Sequence, residues 1–280
     1  MPDAPVVADL ALARRLESAE GRANVAFVES RARCDPSVGA TWREVAGALA
    51  MFDGAGSPCT QTFGLGLSAP ADDAALAELE AFFASRGAEV FHEVCPLVGP
   101  ELLARLADRG YRPVELTSVT FQPLDAPAAA DEPADASITV RRTGPDETRL
   151  WAATAARGWA TEGAHLEAFM QSFGEVSASA AGTVCFVAER DGEAVAAAAL
   201  AMHGGVALLA GASTCPEWRG LGAQGALLRA RLRHAAAAGC DLAMLCAAPG
   251  GPSQRNAERA GFRIAYTRMK WGRGGRDSTG

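Results

Sequence analysis

The segment Thr214-Cys215-Pro216-Glu217-Trp218-Arg219-Gly220-Leu221-Gly222-Ala223-Gln224-Gly225-Ala226-Leu227-Leu228 concentrates the residue types best suited to holding a ligand. Glycines let the backbone approach a bound group closely. A helix beginning near Gly222 would add unpaired N–H groups and the positive end of its dipole. That chemistry is anion binding, with a phosphate or pyrophosphate as the natural guest. The spacing Gly220-x-Gly222-x-x-Gly225 also satisfies the dinucleotide-binding fingerprint, but its context is wrong. Cys215 to Arg219 intervene between the strand end and the first glycine, and the acid that should close the next strand, Asp241, opens it. A Walker phosphate loop is excluded, because no Gly-Lys-Ser/Thr occurs.

The elements that must position this turn form a mixed α/β pattern. A strand at Ile138–Arg142 precedes helical stretches over about Glu147–Ser172. Strands Thr183–Glu189 and Glu193–Met202 are joined by an Asp191-Gly192 turn, and Val206–Thr214 runs into the glycine turn. A helix to Ala238, a buried strand Asp241–Ala247, a short helix from about Pro252 to Ala260 and a last strand from Phe262 complete the order. The first half ends with the same grammar. A helix carrying Leu76, Leu79, Phe82 and Phe83 stops at Arg86-Gly87, a strand covers Ala88–Val98, a helix Pro100–Asp108, and Arg109-Gly110-Tyr111 answers Ala260-Gly261-Phe262. Gly87 to Gly110 spans 23 residues and Gly239 to Gly261 spans 22, at offsets of 152 and 151, which indicates an internal repeat. Between the halves, residues 122–135 are rich in Pro, Ala and acid without apolar periodicity, a linker. The expected domains are 1–135, including that linker, and 136–280.

Arg219-Gly220-Leu221-Gly222-Ala223-Gln224 resembles the coenzyme A loop of the GNAT superfamily of N-acetyltransferases, whose pattern is Arg/Gln-x-x-Gly-x-Gly/Ala. Pro216 before the arginine, Leu227-Leu228 after the turn and Ala260-Gly261-Phe262 at the end of the short helix extend the likeness over Ile138 to Met269. Gln224 departs from it, standing where Gly or Ala is common. The resemblance implies tandem GNAT-like units, each a mixed, mostly antiparallel sheet flanked by helices, with a splayed parallel strand pair in the C-terminal unit. It implies that the amides of Leu221, Gly222, Ala223 and Gln224, with Arg219 and the neighbouring Gly220 and Gly225, hold the pyrophosphate of acetyl-CoA. The pantetheine arm would lie against Ala212, Ser213 and Thr214. Ser253 and Asn256, three apart on one helix face, would contact that arm, although Ser253 equally suits a helix cap. In the first half the matching turn reads Leu67-Ser68-Ala69-Pro70-Ala71-Asp72-Asp73, and two carboxylates there would repel a pyrophosphate. The first unit is therefore expected to be degenerate and to bind no coenzyme A.

For the reaction, the resemblance implies direct attack of a deprotonated amine on the thioester, helped by a base and a proton donor. The tyrosine that often donates, four residues before the closing glycine, is replaced by Ala257. Tyr266 is the substitute acid and Glu162 the candidate base. Glu162, His165 and Trp159 lie in the region that rims the acceptor pocket in relatives, and Glu189 and Glu217 are further candidates for a base acting through water.

Composition narrows the partners. Residues 1–135 hold 21 acids and 10 bases, and residues 136–280 hold 12 acids and 16 bases. The arginines are scattered and no nucleic-acid motif is present, so no nucleic-acid partner is expected. The longest apolar run, Ala194–Met202, is far short of a membrane span, and the N-terminus lacks a signal pattern, so the expectation is a cytoplasmic protein without a membrane partner. Seven cysteines without a C-x-x-C pair read as buried hydrophobes, and His92, His203 and His234 share no metal-ligand spacing, so no metal is expected. Arg229 and Arg233, one turn apart, suit a further phosphate or a solvated helix face. The resulting expectation is an acetyl-CoA-dependent N-acetyltransferase acting on a primary amine of a small molecule, with an aminoglycoside-type antibiotic as the specific candidate, as monomer or homodimer. A protein or peptide N-acetyltransferase and a non-catalytic acyl-CoA-binding module are the alternatives.

Overall fold

The computed structural model describes residues 7–124, 137–159 and 164–273. The chain forms helix α1 (Leu10–Cys34), strands β1 (Thr41–Val45), β2 (Ala48–Phe52) and β3 (Gln61–Phe63), helix α2 (Asp73–Ala84), strand β4 (Phe91–Val94), helix α3 (Pro100–Asp108) and strand β5 (Tyr111–Pro123). It continues through β6 (Ile138–Arg142), α4 (Thr148–Arg157), α5 (Ala164–Ala178), β7 (Thr183–Arg190), β8 (Glu193–His203), β9 (Val206–Thr214), α6 (Ala223–Ala237), β10 (Leu242–Ala247), α7 (Pro252–Arg259) and β11 (Arg263–Arg273). The repeat is visible in the elements themselves. Asp73 and Ala223, Phe91 and Leu242, Pro100 and Pro252, and Tyr111 and Arg263 open corresponding elements at offsets of 150 to 152 residues. β4 is shorter than the expected Ala88–Val98 because Pro96, which has no N–H for a ladder, opens a 3-10 turn at Pro96–Val98.

The chain divides into two compact units, residues 1–122 with 244–280, and residues 123–243. The sequence reading instead assigns everything after residue 135 to the second domain. The difference lies in β11, which pairs antiparallel with β4 on one side (Met269 opposite Val94) and with β5 on the other (Met269 opposite Leu116). A strand hydrogen-bonded along both edges is committed to that sheet, and it carries α7 and the end of β10 with it.

In the first unit β3 and β4 are parallel, with Thr62 opposite His92, and α2 makes the crossover between them. Helix α1 covers one face of β2 and β3, where Gly21 lies against Leu49 and Phe63. Helices α2 and α3 cover the other face with Leu76, Leu79, Phe83 and Leu106.

On the α1 face the unit buries an ionic cluster. The Arg268 guanidinium donates to Glu93 Oε2 (2.9 Å), Glu17 Oε1 (3.2 Å) and Glu20 Oε2 (2.6 Å), and it stands over the Phe63 ring. Lys270 pairs with Glu93 at 3.4 Å, Tyr266 donates its hydroxyl to Glu17 at 2.9 Å, and the Cys246 thiol donates to Glu20. Three carboxylates face Arg268 and Lys270, and Lys270 is shared with the exposed Glu115 at 2.9 Å, so the cluster carries excess negative charge unless a carboxyl keeps its proton. Burial pushes Glu17 up to about 7 against the attraction of Arg268, while Arg268 holds Glu20 below the usual carboxylate range despite its burial. An acid whose pKa is raised on folding stabilises the folded state less as pH rises from its unfolded value through the folded one. The stability difference between the native protein and Glu17→Gln is therefore expected to shift by ~3 kcal/mol against the native protein between about pH 4.5 and pH 7, and to stay level above that. Denaturant titrations of both proteins at stepped pH read this directly; a flat difference across that window would refute it.

The second unit is a four-stranded antiparallel sheet in the order β9-β8-β7-β6. Residues Ala194–Leu200 of β8 are buried on both sides: Ala197 and Ala199 pack against Trp151 and Ala152 of α4, and α6 covers the opposite face. Alanine is a poor strand former, but here its small size lets helices close on both faces, so packing decides over propensity. Among the described residues, no helix is long and apolar enough to cross a membrane.

Candidate functional site

The glycine turn joins β9 to α6 in the second unit. Pro216 opens a 3-10 turn at Pro216–Trp218, Arg219 returns to extended backbone, and Gly220 and Gly222 take φ of 80° and 88°, a region that favours glycine. Neither glycine has an atom within 4 Å of the place a Cβ would take, so backbone shape and not crowding requires glycine there. Gly222 is the N-cap of α6 and offers no side chain, and the first helical bond runs from the Ala226 N–H to the Gly222 carbonyl. The N–H groups of the first turn are consequently left to an external acceptor. Helix α2, the counterpart in the first unit, is closed in the same place. Asp72 caps it, its Oδ1 accepting from the Ala75 N–H at 2.9 Å, and Asp73 binds Arg105 and Arg109.

Side chains around the α6 turn fix its shape. Arg219 donates from Nη2 to the Gly158 carbonyl (2.7 Å) and from Nε to the Thr214 carbonyl (3.3 Å), so its guanidinium ties the turn to the end of α4. Gln224 donates from Nε2 to Thr214 Oγ1 at 2.7 Å, which fastens the first turn of α6 to the end of β9. The residue that departs from the sequence pattern thus folds back onto the strand. Ser213 donates to the Ala155 carbonyl (2.8 Å), and Arg157 pairs with Glu217 (2.6 Å) and Glu193 (3.2 Å).

A Cβ on Gly158 would come 2.4 Å from Ser213 Cβ and 3.1 Å from the Thr214 backbone nitrogen. Gly158→Ala is therefore expected to push α4 off β9 and destabilise the second unit by ~2 kcal/mol, in the range of an overpacked core. Thermal unfolding checks it, and an unchanged midpoint would show that the contact yields freely.

Beside the turn, β9 carries a bulge. Ser213 faces Ala197 and Ala210 faces Ala199, so Gly211 and Ala212 together oppose Ala198, with Gly211 at φ 58°. Ala210 to Ala212 are exposed, whereas Ser213 and Thr214 are buried. Two side chains brace the bulge. Trp151 Nε1 donates to the Ala198 carbonyl at 3.1 Å, and the buried Arg231 donates to the carbonyls of Leu227, Ala199 and Ala210. Burial lowers Arg231 to about 10, which leaves it charged at neutral pH. The sequence reading singled out Arg229 and Arg233 on this helix and missed Arg231. Its position one turn beyond Leu227, on the apolar side of α6, was the available signal.

The other expected site residues are distributed differently. Ser253 and Asn256 are exposed on α7, in the first unit. Gly251 is the N-cap of that helix, so Ser253 does not cap it, and Asn256 accepts from Arg259. Gln254, unremarked in the sequence, is the buried polar residue of α7. Its Oε1 accepts from the Ser118 hydroxyl and from the Gly250 N–H, and its Nε2 donates to Glu258. Tyr266 is buried in the ionic cluster with its proton directed to Glu17, and burial raises it far above the ordinary tyrosine value. Nothing in that arrangement presents it as an acid. Glu162 and the side chain of His165 lie outside the described residues. Trp159 is partly exposed next to the Gly158 carbonyl that Arg219 binds. Glu217 is held below the usual carboxylate range by its own backbone N–H and by Arg157, and Glu189 is paired with Arg141 at 2.9 Å, so each is engaged by an arginine.

The cysteines Cys59, Cys95 and Cys185 are buried thiols pushed up to about 12, and His92 is buried and lowered to about 4. Among the described residues, no group of His, Cys, Asp and Glu has the makings of a metal site.

Residues 148–262 match a family model described as the acetyltransferase (GNAT) family. No curated protein matches the sequence. Among solved structures, a GCN5-related N-acetyltransferase from Kribbella flavida is similar at TM-score 0.67 and 20% identity, over 94% of this chain and 96% of that one. A tandem GNAT protein from the clavulanic acid biosynthesis pathway is similar at TM-score 0.56 and 18% identity, over 84% of this chain and 81% of that one. A putative acetyltransferase of the GNAT family from Novosphingobium aromaticivorans is similar at TM-score 0.53 and 20% identity, over 89% and 97%. At these identities the likeness concerns the fold.

Proposed function

We infer, from the premise that residues 148–262 are a domain of the GNAT acetyltransferase family, that this protein is an acetyl-CoA-dependent N-acetyltransferase with one working donor site, the glycine turn of the second unit. The observation that carries this reading is the contrast between two equivalent helix starts. α6 begins at a side-chain-free Gly222 with its first-turn N–H groups open, whereas α2 is capped by Asp72. An uncapped start preceded by two glycines at positive φ suits a pyrophosphate, and a carboxylate cap excludes one. The amides of Leu221, Gly222, Ala223 and Gln224 would hold the pyrophosphate. Arg219 would act through the turn, since its guanidinium is engaged with Gly158 and Thr214. The bulge at Gly211-Ala212 supports the chemical step, because an extra residue leaves a backbone N–H outside the ladder, exposed, where it can donate to the oxygen of a thioester under attack.

The acceptor is a primary amine on a small cationic molecule of aminoglycoside type. The acidic balance of residues 1–135 supports that class by steering cations toward the protein. The amine arrives largely protonated at neutral pH and must lose that proton before attack; Glu162 remains the proposed base. The fate of the coenzyme thiolate calls for a proton donor other than Tyr266, and water can serve. Ala257 at the usual tyrosine position, together with the commitment of Tyr266 to Glu17, favours as second reading a module that binds acyl-CoA without turnover.

Calorimetric titration with acetyl-CoA, with NADH as control ligand, tests the donor site. One equivalent of acetyl-CoA and no NADH is expected, and absence of acetyl-CoA binding would overturn the assignment. Thiol release in the presence of an aminoglycoside, a small neutral amine and a peptide amine then separates the readings. Release with the aminoglycoside supports the enzyme proposed, release with the peptide alone shifts the substrate class, and binding without release leaves the module.

A further inference from the structure

The first unit carries a half-open pocket of about 300 Å³ at the carboxyl ends of the parallel strands β3 and β4, bordered by the 66–71 turn before α2, by α3 and by Arg14 of α1. In open α/β sheets this is where ligands sit. The turn is pinned rather than slack. Gly64 and Gly66 adopt φ of 78° and 77°, a Cβ on Gly66 would come 2.7 Å from Leu102 Cδ2, and Arg14 Nε donates to the Leu67 carbonyl at 2.7 Å. A hollow bounded by such fixed backbone does not close by relaxation of one side chain.

The residues around it select a chemistry. The volume is at the lower end for ligand pockets, which suits a molecule of roughly a dozen heavy atoms. Leu67, Pro70, Val98 and Leu102 supply apolar walls. Arg105 is engaged by Asp73 at 3.2 Å, a carboxylate it shares with Arg109, and the start of α2 is capped by Asp72, so a polyphosphate would meet neither an unpaired arginine there nor an open helix start. Of the lining side chains, the cation not paired with a carboxylate is Arg14, which binds the Leu67 carbonyl through Nε, and the anion is Glu101. One positive and one negative group over an apolar hollow is complementary to a zwitterion with an apolar side chain.

We propose that the cavity of the first unit binds a free α-amino acid with a large apolar side chain, its carboxylate on Arg14 and its ammonium on Glu101. This site is separate from the donor site proposed above and does not depend on it. Its chemistry also explains why a unit whose helix start is closed to pyrophosphate still keeps a pinned, glycine-shaped turn.

The test is calorimetric titration of the full chain with L-phenylalanine as probe, beside L-phenylalaninamide, which lacks the carboxylate, and N-acetyl-L-phenylalanine, which lacks the ammonium. One equivalent of L-phenylalanine is expected, with each derivative at least tenfold weaker. Arg14→Met is expected to weaken L-phenylalanine at least tenfold and to abolish its advantage over the amide, and Glu101→Gln to abolish its advantage over the N-acetyl derivative. Leu102→Trp, which fills the hollow and leaves both charges in place, is expected to eliminate binding while the circular dichroism spectrum stays native. No binding of L-phenylalanine at 10 mM, equal affinity for the three compounds, indifference to the Arg14 and Glu101 substitutions, or displacement of phenylalanine by acetyl-CoA would each overturn the proposal.

Discussion

Arg268→Leu is expected to be the most damaging single substitution in the first unit, lowering its stability by about 3–5 kcal/mol, the cost of breaking a buried ion cluster from one side. Arg268 is buried and, among the described residues, is the one side chain that bonds Glu17, Glu20 and Glu93 together. Without it the three carboxyl groups face only Lys270, which also pairs with Glu115, and at least one more must take up a proton or draw in water. The substituted protein should melt on the order of 10 °C lower at neutral pH and recover partly as pH falls, since protonation relieves the excess negative charge. Arg268→Lys keeps one charge but loses the planar fork and should fall between the two. Glu17→Gln combined with Glu20→Gln and Arg268→Leu removes cations and anions together and should be more stable than Arg268→Leu alone. Were the single and triple variants equally unstable, the loss would come from packing around β11 and not from uncompensated charge.

That cluster also marks where sequence reasoning stops. The strands Thr183–Arg190 and Val206–Thr214, the helix Pro100–Asp108 and the helix opening at Ala223 were legible because alternation, 3.6-residue periodicity and glycine punctuation are local signals. The repeat was legible for the same reason, as two copies of one local grammar. Tyr266 was not. Its spacing suggests a strand tyrosine near an active site, and only the pairing of β11 between β4 and β5 reveals that its hydroxyl meets Glu17, 249 residues away. Arg231 was hidden because an arginine on an amphipathic helix reads as solvated. Its burial depends on the bulge in β9, whose carbonyls it satisfies, and the bulge follows from pairing register. Gln224 was noticed as a departure, yet its latch on Thr214 required knowing how closely β9 and α6 approach.

Gly222→Asp, set against Asp72→Ala, gives the sharpest functional contrast. At Gly222 an aspartate would take the N-cap of α6, its carboxylate would accept from the first-turn N–H groups, and a negative charge would stand where the pyrophosphate is proposed to bind. That substitution rebuilds in the second unit the arrangement Asp72 already makes in the first. The expected result is a loss of acetyl-CoA affinity of at least 100-fold, about 2.7 kcal/mol or more. The fold should survive, because no atom lies within 4 Å of the new Cβ and aspartate tolerates a left-handed backbone better than most residues. Gly222→Ala carries the backbone strain without the charge and separates the two effects: it should weaken acetyl-CoA by less than tenfold. Asp72→Ala removes a helix cap, costs about 1 kcal/mol of stability and should leave acetyl-CoA affinity within twofold. Calorimetry on the four proteins decides the matter. If Asp72→Ala weakens acetyl-CoA as much as Gly222→Asp does, the first unit takes part in donor binding, and the open helix start of α6 is not what distinguishes the units.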